Sequence, residues 1–222
     1  MLRYCWKIWY SFHMKYGIIF DIDGTLWDAT GTLVRGWNAV FEKLGAAKVT
    51  PEYVASFMGK TSTEIAQGVF PDMPIEQSLP IMKEAGTLGR QAIAEYGAKL
   101  FPGEKETLEK LHKEYVLCIL TNSGPGYIDL LFNVTGFGNL FTDTVSHGEN
   151  GLNKTENMKL LIERNSLDGA VYIGDTRDDQ LYSQAAGIPF IFASYGHGQA
   201  QDPEYSVSSF EEIPDVIKSI FQ

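Results

Sequence analysis

The chain has 222 residues, a length that suits one large domain or a core with a smaller insert. Its formal net charge of −10 argues against a nucleic-acid partner, which needs a basic face. No apolar run approaches the ~20 residues that a membrane span requires, and two cysteines cannot build a disulfide framework. The composition therefore predicts a globular protein of the reducing cytoplasm, with neither a nucleic-acid nor a membrane partner.

The first 13 residues are aromatic and basic. Lys7, Ser11 and His13 interrupt the apolar run that a signal peptide would need. Met14 directly precedes the first predicted strand. We therefore interpret residues 1–13 as an N-terminal extension rather than as part of the fold.

An apolar run at residues 17–20 predicts a buried strand, and two carboxylates follow it at Asp21 and Asp23. Because side chains two apart in an extended chain share a face, both carboxylates project to the same side. Adjacent carboxylates repel each other unless something compensates, and a hard divalent cation prefers oxygen ligands. The stretch therefore predicts a metal-dependent acid–base or nucleophilic site.

Residues 28–100 carry helical patterns only, with glycine or proline between the segments. The predicted helices are 33–44, 51–57, 62–69, 74–84 and 88–96. An insertion that begins just after the carboxylates lies above the end of the first strand. We expect it to act as a lid that closes over substrate and excludes water.

From residue 101 onward, helical and strand patterns alternate. The predicted strands are 115–120, 141–145, 170–173 and 189–192, and the predicted helices are 104–113, 125–133, 155–164, 178–186 and 210–221. Such alternation is typical of an α/β fold, here a Rossmann-like parallel sheet with helices on both faces. The predicted core therefore comprises residues 14–27 and 101–222, and the inserted all-helical cap comprises residues 28–100.

Polar side chains follow the later strands as well, and the carboxyl ends of parallel strands meet at one edge of a sheet. Hydroxyl, amide and ammonium donors beside clustered carboxylates suit a phosphoryl group with Mg²⁺. Taken singly, three of the candidate groups have a commoner structural role, as a helix cap for Thr121 and Asn122, a surface charge for Lys154, and acids of a first helical turn for Asp178 and Asp179. The candidates at this edge, besides the first two carboxylates, are Thr121, Asn122, Lys154, Asp175, Asp178 and Asp179.

Four segments in this order resemble the motifs of the haloacid dehalogenase-like hydrolase superfamily. They are residues 20–26, residues 120–122, Lys154, and residues 174–179. The resemblance covers nearly the whole chain beyond residue 14. The helical insertion resembles the cap of the phosphoglycolate phosphatase-like and β-phosphoglucomutase-like branch.

The resemblance implies that Asp21 is the nucleophile, which forms an aspartyl-phosphate. Asp23 would protonate the leaving alcohol and then activate the hydrolytic water. Mg²⁺ would be held by Asp21, Asp175 and the backbone carbonyl of Asp23, while Asp179 would orient the waters of the metal.

The remaining implied roles concern the phosphoryl group and the substrate. Thr121 and the backbone of Asn122 would bind the phosphoryl group, and Lys154 would balance its charge. Lys60 would meet an anionic group of the substrate, although a plain surface lysine is equally expected there. The candidates to face the site on the substrate side are Trp27, Arg35, Trp37, Gly59 and Lys60.

The implied activity is Mg²⁺-dependent hydrolysis of a small phosphorylated metabolite by a monomer or weak homodimer. A sugar-phosphate mutase of the same branch stays open, since the sequence does not decide whether water or a second hydroxyl receives the phosphate. A non-catalytic phospho-ligand-binding or regulatory protein is a further alternative, which the intact set of candidate residues disfavours.

Overall fold

The computed structural model describes residues 14–222, so the predicted extension at residues 1–13 lies outside the described residues. One sheet of six strands runs through the described chain in the order β3-β2-β1-β4-β5-β6, and every neighbouring pair is parallel. The strands are β1 (Tyr16–Phe20), β2 (Val116–Thr121), β3 (Asp143–Ser146), β4 (Gly169–Gly174), β5 (Phe190–Ala193) and β6 (Tyr205–Val207).

Helices cover both faces of this sheet, as predicted. Alternate residues of β1 point to opposite sides: Ile18 and Phe20 lie in one apolar cluster and Ile19 in the other. Beyond residue 100, the helices that contribute to the first cluster are α5 (Glu104–Leu111), α6 (Tyr127–Thr135) and α10 (Ile213–Phe221), and those that contribute to the second are α8 (Lys154–Arg164) and α9 (Arg177–Ala186). The α/β prediction is therefore confirmed.

Four helices lie between β1 and α5, in the region predicted to be all-helical. They are α1 (Thr30–Lys43), α2 (Pro51–Ala55), α3 (Ser62–Val69) and α4 (Ile75–Tyr96), and we call them the helical insertion. Thr50 and Thr61 cap α2 and α3, since each hydroxyl accepts a backbone N–H of the first turn. No helix among residues 14–222 is long and apolar enough to cross a bilayer.

The prediction of two helices at 74–84 and 88–96 is wrong, because α4 runs unbroken from Ile75 to Tyr96. Glycine costs a helix about 1 kcal/mol relative to alanine, which is why Gly86 suggested a break. Packing outweighs that cost, since a Cβ on Gly36 of α1 would lie only 2.1 Å from the nitrogen of Gly89. The close approach of α1 and α4 keeps the helix continuous.

Short elements escaped the sequence analysis. Strand β6 has three residues, too few for an alternating pattern, and α7 (His147–Asn150) is a single turn. The tail predicted as one helix at 210–221 begins with a 3₁₀ turn at Phe210–Glu212, and α10 follows with Pro214 in its first turn. Proline there removes no helical hydrogen bond.

Candidate active site

The polar residues at the carboxyl edge of the sheet come from three neighbouring strands. Asp21 and Asp23 follow β1, Thr121 ends β2, and Asp175 follows β4. Since β1 lies between β2 and β4, these side chains converge as the sequence predicted. The backbone N–H of Asp21 also donates to Ile173 of β4 at 2.9 Å, which extends the pairing to the first carboxylate.

Lys154 is the first residue of α8, and its ammonium group contacts two carboxylates at this edge of the sheet. Its Nζ lies 3.0 Å from Asp21 Oδ1 and 2.6 Å from Asp179 Oδ1. Burial by itself would lower the pKa of Lys154, but the carboxylates of Asp179 and Asp21 raise it well above its ordinary value. The lysine is therefore a buried cation held between two carboxylates.

Asp179 is fully engaged by donors. Its Oδ2 accepts the hydroxyl of Thr176 at 2.6 Å and the backbone N–H of Thr176 at 3.1 Å, in the capping box that opens α9. Its Oδ1 accepts Lys154, and the hydroxyl of Tyr172 donates to the same atom at 3.3 Å. Asp178, the neighbouring candidate, is exposed in the first turn of α9.

At this edge of the sheet, two buried carboxylate oxygens lack a hydrogen-bond partner among the described residues, Asp21 Oδ2 and Asp175 Oδ1. One oxygen each of Asp21, Asp175 and Asp179 lies within 4.8 Å of the others. Burial raises the pKa of Asp21 well above its ordinary value although Lys154 opposes the shift, and burial together with Asp179 raises that of Asp175 to about 6. Unpaired, clustered oxygen donors fit a hard cation such as Mg²⁺.

The loop after β5 also binds Asp175, a contact that the sequence did not predict. Asp175 Oδ2 accepts the backbone N–H groups of His197 at 2.7 Å and Gly198 at 3.0 Å. A Cβ on Gly196 would lie 2.3 Å from the carbonyl oxygen of Gly24, so the loop passes too close for a larger residue. Two glycines just after a strand were the available signal.

The second carboxylate of the opening motif is held by two aromatic residues. Asp23 Oδ1 accepts the hydroxyl of Tyr127 at 2.6 Å and the indole N–H of Trp27 at 3.1 Å. Burial raises the pKa of Asp23, and the hydrogen bonds from Tyr127 and Trp27 partly offset that rise. The sequence carries no signal for Tyr127, whose position in α6 reads as an ordinary aromatic core residue.

A cavity lies between these strand ends and the helical insertion. The loop between α2 and α3 contributes Gly59 and Lys60 to its wall, and α4 contributes Arg90. Further lining residues come from the core edge and from apolar side chains of the insertion, including Asp21, Asp23, Thr121, Asn122, Tyr127 and Trp37. The side chain of Asn122 donates to the Gly59 carbonyl oxygen at 2.7 Å and so joins the two walls.

Two predicted cavity residues lie elsewhere. The guanidinium carbon of Arg35 lies 4.3 Å from the ring centroid of Tyr96 on the outer side of α1. Trp27 is buried beneath Asp23 rather than placed in the cavity wall. Arg90, which does line the cavity, went unpredicted because a lone arginine within a helix is ordinarily a solvated residue.

The model of the haloacid dehalogenase-like hydrolase family matches residues 18–193 of this chain. Curated relatives named phosphoglycolate phosphatase include a Photobacterium profundum protein that is 28% identical in an alignment covering 90% of this chain and 95% of the relative. A Vibrio parahaemolyticus protein of the same name is 26% identical, with the same coverage of both chains.

Solved structures of this family share the fold. A haloacid dehalogenase-like hydrolase from Streptococcus pneumoniae superposes with a TM-score of 0.78 at 23% identity, over 91% of this chain and 98% of its own. A haloacid dehalogenase-superfamily hydrolase from Geobacter sulfurreducens has a TM-score of 0.70 at 19% identity, over 92% of this chain and 97% of its own.

Proposed function

The chain belongs to the haloacid dehalogenase-like hydrolase family, and from that premise we propose that it is a Mg²⁺-dependent phosphatase for a small, carboxylated phosphomonoester. The prediction of a phosphatase of this family is confirmed. The observation that carries the finer proposal is the pair of unpaired oxygens, Asp21 Oδ2 and Asp175 Oδ1, beside the ammonium group of Lys154.

Asp21 is the proposed nucleophile. It lines the cavity and directly follows the central strand, where a rigid sheet suits the in-line attack that phosphoryl transfer needs. Attack on phosphorus gives an aspartyl-phosphate, and Lys154 balances the negative charge shared by the carboxylate and the phosphoryl oxygens. Thr121 and the backbone of Asn122 bind that group from the neighbouring strand.

Asp23 serves as the acid and then as the base. It protonates the leaving alcohol when the aspartyl-phosphate forms, and it takes a proton from the water that hydrolyses this intermediate. Its raised pKa suits the first role, because a carboxyl group that retains its proton nearer neutrality is the better acid there.

The residues that would hold Mg²⁺ are Asp21, Asp175 and the backbone carbonyl of Asp23. Bound there, the ion supplies positive charge beside the phosphoryl oxygens. Asp179 supports the proposed metal site in two ways. Its carboxylate binds the ammonium group of Lys154, and one of its oxygens lies within 4.8 Å of those of Asp21 and Asp175, where it can orient metal-bound water.

The substrate proposal rests on the cations of the cavity wall. Lys60 and Arg90 face the cavity from the helical insertion, opposite the carboxylates of the sheet edge. Two cationic residues in that wall suit a second anionic group on the substrate. Phosphoglycolate, the substrate in the name of the relatives, carries both a phosphate and a carboxylate. We therefore propose it as the first substrate to test.

We also propose a division of the chain into two domains. Residues 28–100 form the cap, which carries the substrate contacts, and residues 14–27 and 101–222 form the catalytic core. We further propose a cytoplasmic enzyme, since Cys118 is a buried free thiol, and the expectation of a monomer or weak homodimer stays a prediction for analytical ultracentrifugation.

Phosphate release from phosphoglycolate and from p-nitrophenyl phosphate, with and without Mg²⁺, tests the proposal. We expect turnover only with Mg²⁺, and none for Asp21→Asn. Asp175→Asn should lose Mg²⁺ binding in titration calorimetry, whereas Asp178→Asn, an exposed acid nearby, should retain it. A wild-type protein as inactive as Asp21→Asn would overturn the proposal, as would transfer of phosphate between hydroxyls of a bisphosphosugar without release.

A further inference from the structure

The carboxyl group of Asp23 is held through only one of its oxygens. Oδ1 accepts Tyr127 at 2.6 Å and Trp27 at 3.1 Å, whereas Oδ2 accepts no hydrogen bond from the described residues. Asp23 lines the cavity and is 8% exposed. One oxygen therefore faces protein donors, and the other is left for a ligand in the cavity.

The two donors are themselves immobile. Trp27 is fully buried and Tyr127 is 4% exposed, and their rings meet edge to face with centroids 5.6 Å apart. Trp27 closes the turn after β1, since its carbonyl accepts the Gly24 N–H at 2.9 Å, and Tyr127 opens α6. The donors thus belong to separate segments that converge on one atom.

Resting on the proposed function, we infer that Tyr127 and Trp27 are positioning residues that hold the Asp23 carboxyl group with Oδ2 directed at the leaving oxygen of the substrate. A carboxyl group rotates easily about its last side-chain bond, so an aspartate without such anchors would spend part of its time misdirected. Two donors on Oδ1 remove that freedom before the substrate binds.

The anchors also match the charge change in the step. As an oxygen of Asp21 bonds to phosphorus and the ester P–O bond breaks, the proton on Asp23 Oδ2 passes to the ester oxygen. The alcohol leaves neutral, and Asp23 remains as a carboxylate. The hydroxyl of Tyr127 and the indole N–H of Trp27 then donate to an anion, which is the stronger hydrogen bond.

The test compares leaving groups in Tyr127→Phe, which keeps the ring and removes only the hydroxyl. The readout is kcat/KM, which reports the steps up to alcohol release and leaves out the later hydrolysis. For phosphoglycolate, whose alkoxide needs a proton, we expect a fall of about tenfold. For p-nitrophenyl phosphate, whose phenolate leaves without a proton, we expect kcat/KM to fall by less than about threefold. Inhibition by inorganic phosphate should be unchanged.

Tyr195→Phe is the matched control, because its partly buried hydroxyl donates to the backbone of Thr25 at 3.1 Å without touching Asp23. It should leave the ratio of the two kcat/KM values unchanged. Trp27→Phe supplies the same test should Tyr127→Phe fail to fold, and its ratio should shift in the same direction.

An active wild type whose ratio is unchanged in the folded variant overturns this inference alone. Equal losses on both substrates, or weaker inhibition by phosphate, would show a structural role and likewise overturn it. A wild type inactive on both esters overturns the proposed function, and this inference with it.

Discussion

Lys154 and Asp21 form a buried ion pair across 133 residues of sequence, with Nζ and Oδ1 3.0 Å apart and side chains 1% and 2% exposed. The lysine opens α8 and the aspartate directly follows the central strand, so the pair joins α8 to the carboxyl edge of the sheet. Both side chains are buried, so the Asp21 carboxylate depends on Lys154 for compensating charge, and Lys154 depends on Asp21 and Asp179. The same contact therefore bears on both stability and chemistry.

Lys154→Met should lower the free energy of unfolding by about 3–5 kcal/mol, because it leaves two buried carboxylates without their cation. It should also lower phosphatase activity at least about a hundredfold, since a charge clamp on the phosphoryl group is lost. Urea denaturation and phosphate release measure the two effects. Lys43→Met breaks an exposed pair with Glu84 and should cost no more than about 1 kcal/mol. Equal costs for the two variants would contradict the buried-pair account.

Arg90→Met should raise KM for phosphoglycolate roughly tenfold while leaving KM for p-nitrophenyl phosphate nearly unchanged, because only the first substrate offers a carboxylate. Steady-state kinetics on both esters measures the difference. Arg35→Met serves as the control, since that arginine lies against Tyr96 outside the cavity. A parallel rise in KM for both esters would instead place Arg90 at the phosphoryl group.

Asn122→Ala should loosen the contact between the helical insertion and the core. The substitution removes the 2.7 Å hydrogen bond to the Gly59 carbonyl, worth about 1 kcal/mol, and keeps the backbone of residue 122. Hydrogen exchange at residues 57–61 should become faster. Asn38→Ala, which removes a 3.0 Å bond to Val49 within the insertion, should leave exchange in that loop unchanged. Unaltered exchange in Asn122→Ala would show that the bond does not restrain the loop.

Glu104 makes stability depend on pH. Its Oε1 has no partner among the described residues, and burial raises its pKa to about 8, although the Phe101 N–H opposes the rise. Because the folded-state pKa exceeds the unfolded value, the folded state holds the proton more tightly. Its contribution to stability is complete below about pH 4.5 and is lost as the pH rises to about 8.

Glu104→Gln cannot ionise, so the fall in unfolding free energy between pH 5 and pH 8 should shrink by a few kcal/mol. Urea denaturation at the two pH values measures this change. Glu106→Gln alters an exposed acid in the same helical turn and should keep the wild-type dependence. If Glu104→Gln kept the full wild-type dependence of the unfolding free energy on pH, a group other than Glu104 would be responsible for that dependence.

The sequence predicted those structural features that depend on residues close together in the chain. The apolar run before Asp21 predicted the central strand, and alternation of strands with helices predicted the parallel sheet. Because parallel strands end at one edge, the convergence of Asp21, Thr121 and Asp175 followed from topology alone. Their order along the chain carried the resemblance to the family.

Other features depended on groups that meet only after folding. The continuity of α4 follows from the contact between Gly36 and Gly89, which outweighs the local cost of glycine. The wall cation Arg90 lies in a helix whose sequence shows no sign of facing a cavity.

The sequence by itself predicted a parallel sheet, its polar edge and the residue types that meet a phosphoryl group, because the alternation of strands with helices and the polar residues after each strand are local patterns. Only the tertiary structure decided which oxygen of Asp23 is anchored and which is free. That choice depends on Tyr127, whose hydroxyl reaches Asp23 from 104 residues away once α6 packs beside the central strand.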